Sequence, residues 1–261
     1  MRVTPKKHLG QHFLKDLNIA RQIAESLEAT EPTKVLEVGP GMGVLTQFLL
    51  QNKMIDLKVV ELDRESVSYL EENFPELEGR IVSGDFLKMD LTQCYEGKFC
   101  VIGNYPYNIS SQIFFKVLEH KDQVPCCVGM IQKEVAERIA SEPGKKAYGI
   151  LSVLLQAFYD IEYLFTVHEN VFDPPPKVKS AVVRLRRNSV QKLDCDEALF
   201  VKVVKTAFNQ RRKMMRNSLQ GFFEKGSPVL ENDVFMRRPE QLGVAEFVEL
   251  TNLISKCQTF T

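Results

Sequence analysis

The sequence predicts a doubly wound α/β domain followed by a smaller all-helical one, and three observations predict it. Apolar β-rich runs alternate with helix-period segments through the first 188 residues, a glycine-rich turn follows the first of these runs, and past Asn188 the strand pattern stops. At 261 residues the chain is longer than the usual single domain, and its 44% hydrophobic content allows a sizeable core.

The strand runs are, in order, KVLEVG, LKVVELD, RIVSGD, KFCVIGN, CCVGMIQ, IEYLFTVHE and SAVVRLR. Each is nearly continuous in apolar residues and bounded by Gly, Asn or Asp. That is the pattern of a mostly parallel sheet covered on both faces, so a Rossmann-like sheet of about seven strands is expected. RESVSYLEENF, SSQIFFKVLEH and YGILSVLLQAFYD supply helices between the strands. No helix separates the last two runs, and they are expected to pair antiparallel at one edge. DEALFVKVVKTAF, RRKMMRNSLQGFF and VAEFVELTNLISK then read as short helices, which sets the expected domains at residues 1–188 and 189–261.

Lysine and arginine number 34 against 34 acids, so the chain is no uniformly basic nucleic-acid packer and any basic surface must be local. Six cysteines show no C-x-x-C pair and four histidines are dispersed, so no metal site is expected and the thiols fit a reducing compartment. No stretch approaches the ~18 apolar residues of a membrane span. The opening residues lack the apolar core of a signal peptide, and a cytoplasmic location without membrane contact is expected.

In VLEVGPGMGVLT, Gly39, Gly41 and Gly43 stand between the first strand and a helix, where glycines let the backbone approach a ligand. The third glycine follows the second by two positions rather than three, which weakens a dinucleotide reading. Glu61 ends the second strand, where an acid accepts both hydroxyls of a ribose. Asp85 follows the third strand and can meet an adenine amino group, and Asn104 follows the fourth. Four such groups at the carboxyl ends of successive strands converge on one crevice. A nucleoside pocket without a phosphate loop or a nearby lysine points to S-adenosylmethionine, and hence to methyl transfer.

NYPYNIS, Asn104 to Ser110, adjoins that crevice. An adenine amino group is a poor nucleophile because its lone pair is delocalised into the ring. The Asn104 side-chain oxygen and the carbonyl of Tyr105 or Pro106 can accept its two protons and aim the lone pair, while Tyr107 can stack on a base taken out of its helix. Basic residues are clustered: Arg211, Arg212, Lys213 and Arg216 lie within an acid-free stretch from Ala198 to Phe223, beside an apolar Phe208 expected in the core. Lys177 and Lys179 follow three prolines that stiffen a loop at the crevice mouth.

Taken together, KKHLGQHFL, EVGPGMGVLT, VVELD, GDFL, NYPYNIS, QKEVAERI, FDPPPKVKSAVVRL and AFNQRRKMMRNSL, in this order and spacing, resemble the bacterial small-subunit ribosomal RNA dimethyladenosine transferases, the RsmA/KsgA family, over nearly the full length. The resemblance implies a class I methyltransferase fold acting as a monomer in the cytoplasm. It implies four methyl groups from S-adenosylmethionine transferred to two adjacent adenosines in the 3′-terminal hairpin loop of 16S rRNA, with Asn104, Pro106 and Tyr107 at the reacting base. It implies cofactor contacts at His12, Leu14, Gly39, Gly41, Glu61, Asp85 and Asn104; the charge clusters themselves are read as RNA contacts, at Lys177, Lys179, Arg211, Arg212, Lys213 and Arg216. Two residues depart from the family pattern: Tyr105 stands where Leu is usual, and His12 where Asn is frequent. The amino-terminal KKHLGQHFL segment is expected to be mobile without ligands and to close over cofactor and RNA. Alternatives are a resistance methyltransferase acting on large-subunit RNA, which shares an Asn-x-Pro-Tyr motif, and a non-catalytic assembly factor on the same fold. AFNQRRK and PPPKVKSAVV weigh against the first, and intact Glu61, Asp85 and Asn104 against the second.

Overall fold

A computed structural model describes residues 3–6 and 9–258. Lys7 and His8 of the KKHLGQHFL segment, and Arg2 before it, lie outside the described residues. The elements in chain order are β1 (Phe13–Leu14), α1 (Leu17–Glu25), β2 (Thr33–Val38), α2 (Thr46–Gln51), β3 (Ile55–Glu61), α3 (Arg64–Asn73), β4 (Ile81–Ser83), β5 (Cys100–Asn104), α4 (Ser110–Glu119), β6 (Cys126–Gln132), α5 (Lys133–Ile139), α6 (Ile150–Gln156), β7 (Tyr159–Val167), β8 (Phe172–Asp173), β9 (Ser180–Arg187), α7 (Glu197–Asn209), α8 (Met215–Ser218), α9 (Asp233–Met236) and α10 (Val244–Gln258).

All seven expected strands join one sheet, in the order β4-β3-β2-β5-β6-β9-β7. β2 through β6 pair in parallel, and β9 runs antiparallel to β6 with Val128 opposite Arg184. The last two strands are neighbours at the edge, with β9 inserted between β6 and β7. Both sheet faces are buried: Val35, Leu57, Val59, Ile102, Val128, Met130 and Val182 join the core that α1 contributes to through Ala20 and Ile23. Leu36, Val60, Val101 and Cys127 are equally buried at the alternate positions. This double burial explains why the strands read as continuous apolar runs rather than as alternation.

The chain packs as two compact units. One runs to Ala136 and resumes over Asp160–Arg187; the other takes Glu137–Tyr159 and the chain from Asn188 onward. The expected cut near residue 188 is present, whereas the expectation that residues 1–188 form a single domain is corrected: Glu137–Tyr159 packs with the helical unit. The reason lies in α6, whose Leu151, Val153, Leu154 and Leu155 are buried on successive faces, too many for a helix that covers one side of a sheet. Tyr148, fully buried, lies 6.3 Å from the Phe208 ring, and Phe208 stacks on Phe247 at 6.0 Å as its expected core position requires. Gln156 Nε2 donates to the carbonyls of Ile139 and Ser141, closing the segment on itself.

A small second sheet was not anticipated: β1 pairs antiparallel with β8, Phe13 opposite Asp173 and Leu14 opposite Phe172. Two residues are too few to leave a periodic signal. The pairing straps the amino-terminal segment to the proline loop, and an ion pair of Lys6 with the buried Asp63 fixes its other end.

Candidate active site

The strand order reverses between β2 and β5, and there the carboxyl ends of β2, β3 and β5 and the turn after β4 open on one crevice. Gly39, Gly41, Glu61, Asp85, Asn104 and Tyr107 all line it. Gly39 and Gly41 have φ of 69° and 56°, backbone that other residues rarely adopt. The space a Cβ would take at Gly39 is open, leaving its backbone accessible. Gly41 bends so that its N–H donates to Glu61 Oε2 at 3.0 Å, while the Asp63 N–H donates to Oε1 at 2.8 Å.

Both Glu61 oxygens are therefore fixed, with lone pairs left for two adjacent hydroxyls. Burial pushes the Glu61 carboxyl up, against the pull of those N–H donors, and the net displacement is upward. Beneath it Glu37, 1% exposed, accepts the Thr46 hydroxyl at 2.7 Å. Burial drives Glu37 up to about 8, opposed by that hydroxyl and reinforced by the nearby Glu61. Asp85 is held by the Leu87 N–H at 3.0 Å and remains accessible beside Leu62, a leucine 52% exposed, and Phe86.

At the end of β5, Asn104 Nδ2 donates to the His12 carbonyl at 3.2 Å. A carbonyl oxygen can only accept, so the amide nitrogen must face it and Oδ1 is the end left for a ligand. Tyr105 turns away from the crevice into the sheet, 1% exposed, and its hydroxyl donates to the Val128 carbonyl at 3.2 Å. The larger ring at this position fits because β5 and β6 carry glycine beside it: a Cβ on Gly129 would lie 2.3 Å from the Tyr105 ring and one on Gly103 2.7 Å. The Pro106 carbonyl accepts the Ile109 N–H at 3.2 Å. Tyr107 stays at the crevice, its hydroxyl 2.5 Å from Oγ of the buried Ser180 and its ring stacked on His12 with centroids 5.3 Å apart at 28°.

Two of the expected contact residues sit differently from the others. Leu14 is 4% exposed and belongs to the hydrophobic core through β1; its neighbour Phe13 lines the crevice instead, with its ring 3.0 Å from where a Gly41 Cβ would stand. Alternation along even a two-residue strand sends neighbours to opposite faces. Arg211 is already engaged, with Nε 3.3 Å from Glu240 and a second nitrogen donating to the Lys146 carbonyl at 2.6 Å, so it braces the helical unit. Arg212, Lys213 and Arg216 are exposed, on the turn after α7 and on α8. Lys177 and Lys179 are likewise exposed, flanking Val178 on the loop that leads to Ser180. Arg184 and Arg186 in that same basic stretch are paired with Glu28 and Glu162.

Sequence reading missed Phe13, Leu62, Phe86 and Ser180. Leu62 carried a usable signal, an apolar residue directly after a strand-end acid; Ser180 carried none, because its role depends on a tyrosine 73 residues away. Chemically, the crevice offers a paired acceptor for ribose hydroxyls, an acid for an exocyclic amine, and a free amide oxygen next to an aromatic face.

A family model described as Ribosomal RNA adenine dimethylase matches residues 3–253. Ribosomal RNA small subunit methyltransferase A of Parabacteroides distasonis is 65% identical over 97% of this chain and 95% of its own, and that of Phocaeicola vulgatus 62% identical over 97% and 90%. Among solved structures, a dimethyladenosine transferase from Plasmodium falciparum shares the fold with a TM-score of 0.77 at 24% identity, covering 95% of this chain and 98% of that one. The 23S rRNA methyltransferase ErmE gives 0.67 at 26% identity, over 93% and 99%.

Proposed function

The chain belongs to the ribosomal RNA adenine dimethylase family, and from that premise we propose that it dimethylates N6 of two adjacent adenosines in the 3′-terminal hairpin loop of 16S rRNA, using S-adenosylmethionine, as a cytoplasmic monomer. The observation that carries this reading is the fixed orientation of Asn104, whose Oδ1 is the free end of an amide held by the His12 carbonyl within the crevice that also holds Glu61.

The donor set fits the cofactor. Glu61 takes the ribose hydroxyls, Asp85 the adenine amino group between Leu62 and Phe86, and the open backbone at Gly39 admits the remainder, beside Gly41. His12 contributes through its backbone. When bound, S-adenosylmethionine supplies an electrophilic methyl group on a positively charged sulfur. The protein's part is to prepare the acceptor. Asn104 Oδ1 and the carbonyl of Tyr105 or Pro106 accept the two amino protons; the Pro106 carbonyl keeps one lone pair beside its bond from Ile109. This draws the nitrogen toward tetrahedral geometry and frees its lone pair, and Tyr107 supports the ring by stacking. No side-chain base is needed, because the proton departs to water after the amine has reacted.

Lys177 and Lys179, with Arg212, Lys213 and Arg216 of the helical unit, are assigned to RNA phosphates, and residues 189–261 to RNA binding. The similarity to ErmE raises large-subunit RNA as the competing substrate; relatives at 62–65% identity that are named for the small subunit favour 16S rRNA. Incubating the protein with labelled S-adenosylmethionine and under-methylated small subunits, then mapping the label by primer extension, tests the proposal. Label on two adjacent adenosines of the terminal hairpin is expected. Label on large-subunit RNA overturns it.

A further inference from the structure

We propose that His12 is a positioning residue for the acceptor adenine: its ring backs one face of Tyr107 so that the target base stacks on the other. The inference rests on the function proposed above and adds a role to a side chain that the resemblance assigns only to the cofactor.

Four contacts carry it. The His12 and Tyr107 rings are stacked, with centroids 5.3 Å apart and planes at 28°. His12 Nδ1 lies 2.8 Å from the Pro174 carbonyl, which can only accept, so Nδ1 bears the proton and the ring plane is fixed. The His12 carbonyl receives Asn104 Nδ2. Tyr107 is tied by its hydroxyl to Ser180, at the far end of the loop that begins at Pro174. The two rings are therefore pillars set on the two ends of one proline-stiffened loop, and the same residue that backs Tyr107 orients the Asn104 amide. A single residue thus sets two of the surfaces that receive the base, one by its ring and one by its backbone carbonyl.

A ring beside an aromatic face could instead be a placeholder that the base displaces. The anchoring argues otherwise. His12 is tied by its own Nδ1 and by its carbonyl, and β1 begins at the very next residue, where Phe13 pairs with Asp173. Swinging the ring aside would break its Nδ1 bond to Pro174 and its stack on Tyr107, whereas a base that takes the other face of Tyr107 leaves both in place. Held at its hydroxyl by Ser180 and on one face by His12, Tyr107 offers a flipped base a preorganised plane.

The test compares His12→Ala and His12→Phe with wild type on under-methylated small subunits, measuring the single-turnover rate at saturating RNA and cofactor, cofactor affinity by calorimetry, and melting temperature. His12→Ala removes the backing plane and is expected to slow the saturated rate about tenfold, the size of one aromatic stacking interaction, with cofactor affinity unchanged because the backbone is kept. His12→Phe restores the plane without the Nδ1 bond and is expected to recover most of the rate. An alanine variant as fast as wild type or faster, the latter marking a placeholder, overturns the proposal. So does loss of rate, cofactor affinity and melting temperature together without rescue by phenylalanine. Failure of wild type to methylate small subunits would instead overturn the proposed function.

Discussion

The two walls of the crevice are built on different principles. The cofactor wall is local and charged: Glu61 is held by backbone N–H groups two and twenty residues away, and Glu37 by a hydroxyl nine away, all within β2, β3, the turns after them and the first residue of α2. The acceptor wall is assembled over distance: Asn104 meets His12 across 92 residues, Tyr107 meets Ser180 across 73, and His12 meets Pro174 across 162. The first wall is fixed by strand register, the second by where loops land. The cofactor wall should therefore respond to charge and pH, and the acceptor wall to shape.

The largest effect is expected from Asn104→Ala, which deletes the proposed transition-state contact. kcat should fall on the order of 10²-fold or more, with the fold intact. Near wild-type methylation of small subunits by this variant would erase the distinction between the walls.

Glu61→Ala should do the converse, weakening cofactor binding by roughly 1.5–3 kcal/mol through lost charge-assisted hydrogen bonds while sparing RNA affinity. The ionised carboxyl is the binding form and burial has raised its pKa. Cofactor affinity should therefore decline with falling pH earlier than an ordinary carboxylate would cause. Calorimetry across mildly acidic pH checks both, and a pH-independent affinity would remove Glu61 from the site.

Tyr107 separates shape from polarity. Tyr107→Ala should cost roughly tenfold in kcat/KM by loss of stacking. Tyr107→Phe keeps the ring but leaves the Ser180 hydroxyl, 0% exposed, without this partner, which should lower stability by about 1 kcal/mol and activity only modestly. Equal rate losses in both variants would mean that the ring face is not what the base uses.

On activity the smallest effect is expected at Glu37, whose signature is in stability. Its carboxyl is neutral in the fold up to about pH 8 but ionises near its ordinary value of 4.5 once unfolded. Between those limits unfolding releases a proton, so stability should fall as pH rises, by at most about 1.4 kcal/mol per pH unit, and level off above. Glu37→Gln should flatten that slope in chemical denaturation measured from pH 5 to 8. An unchanged slope would show that Glu37 is ionised in the fold.

The amino-acid sequence by itself determined the seven strands, the glycine turn and the strand-end residues Glu61, Asp85 and Asn104. A buried parallel strand writes its position as an apolar run, and its polar terminus marks the crevice. It also exposed the basic cluster after α7, though not that Arg211 would be drawn to Glu240 and Lys146. The sequence could not show that Glu137–Tyr159 packs with the helical unit, because a helix apolar on several faces does not say which neighbour it meets. Nor could it show that Tyr105 is seated against Gly103 and Gly129, or that His12, Tyr107, Pro174 and Ser180 form one support. Those pairings join segments far apart in the chain, each carrying ordinary residues. Only the closing of the sheet and the strapping of β1 to β8 bring them within contact distance, so the acceptor wall was decided by tertiary structure.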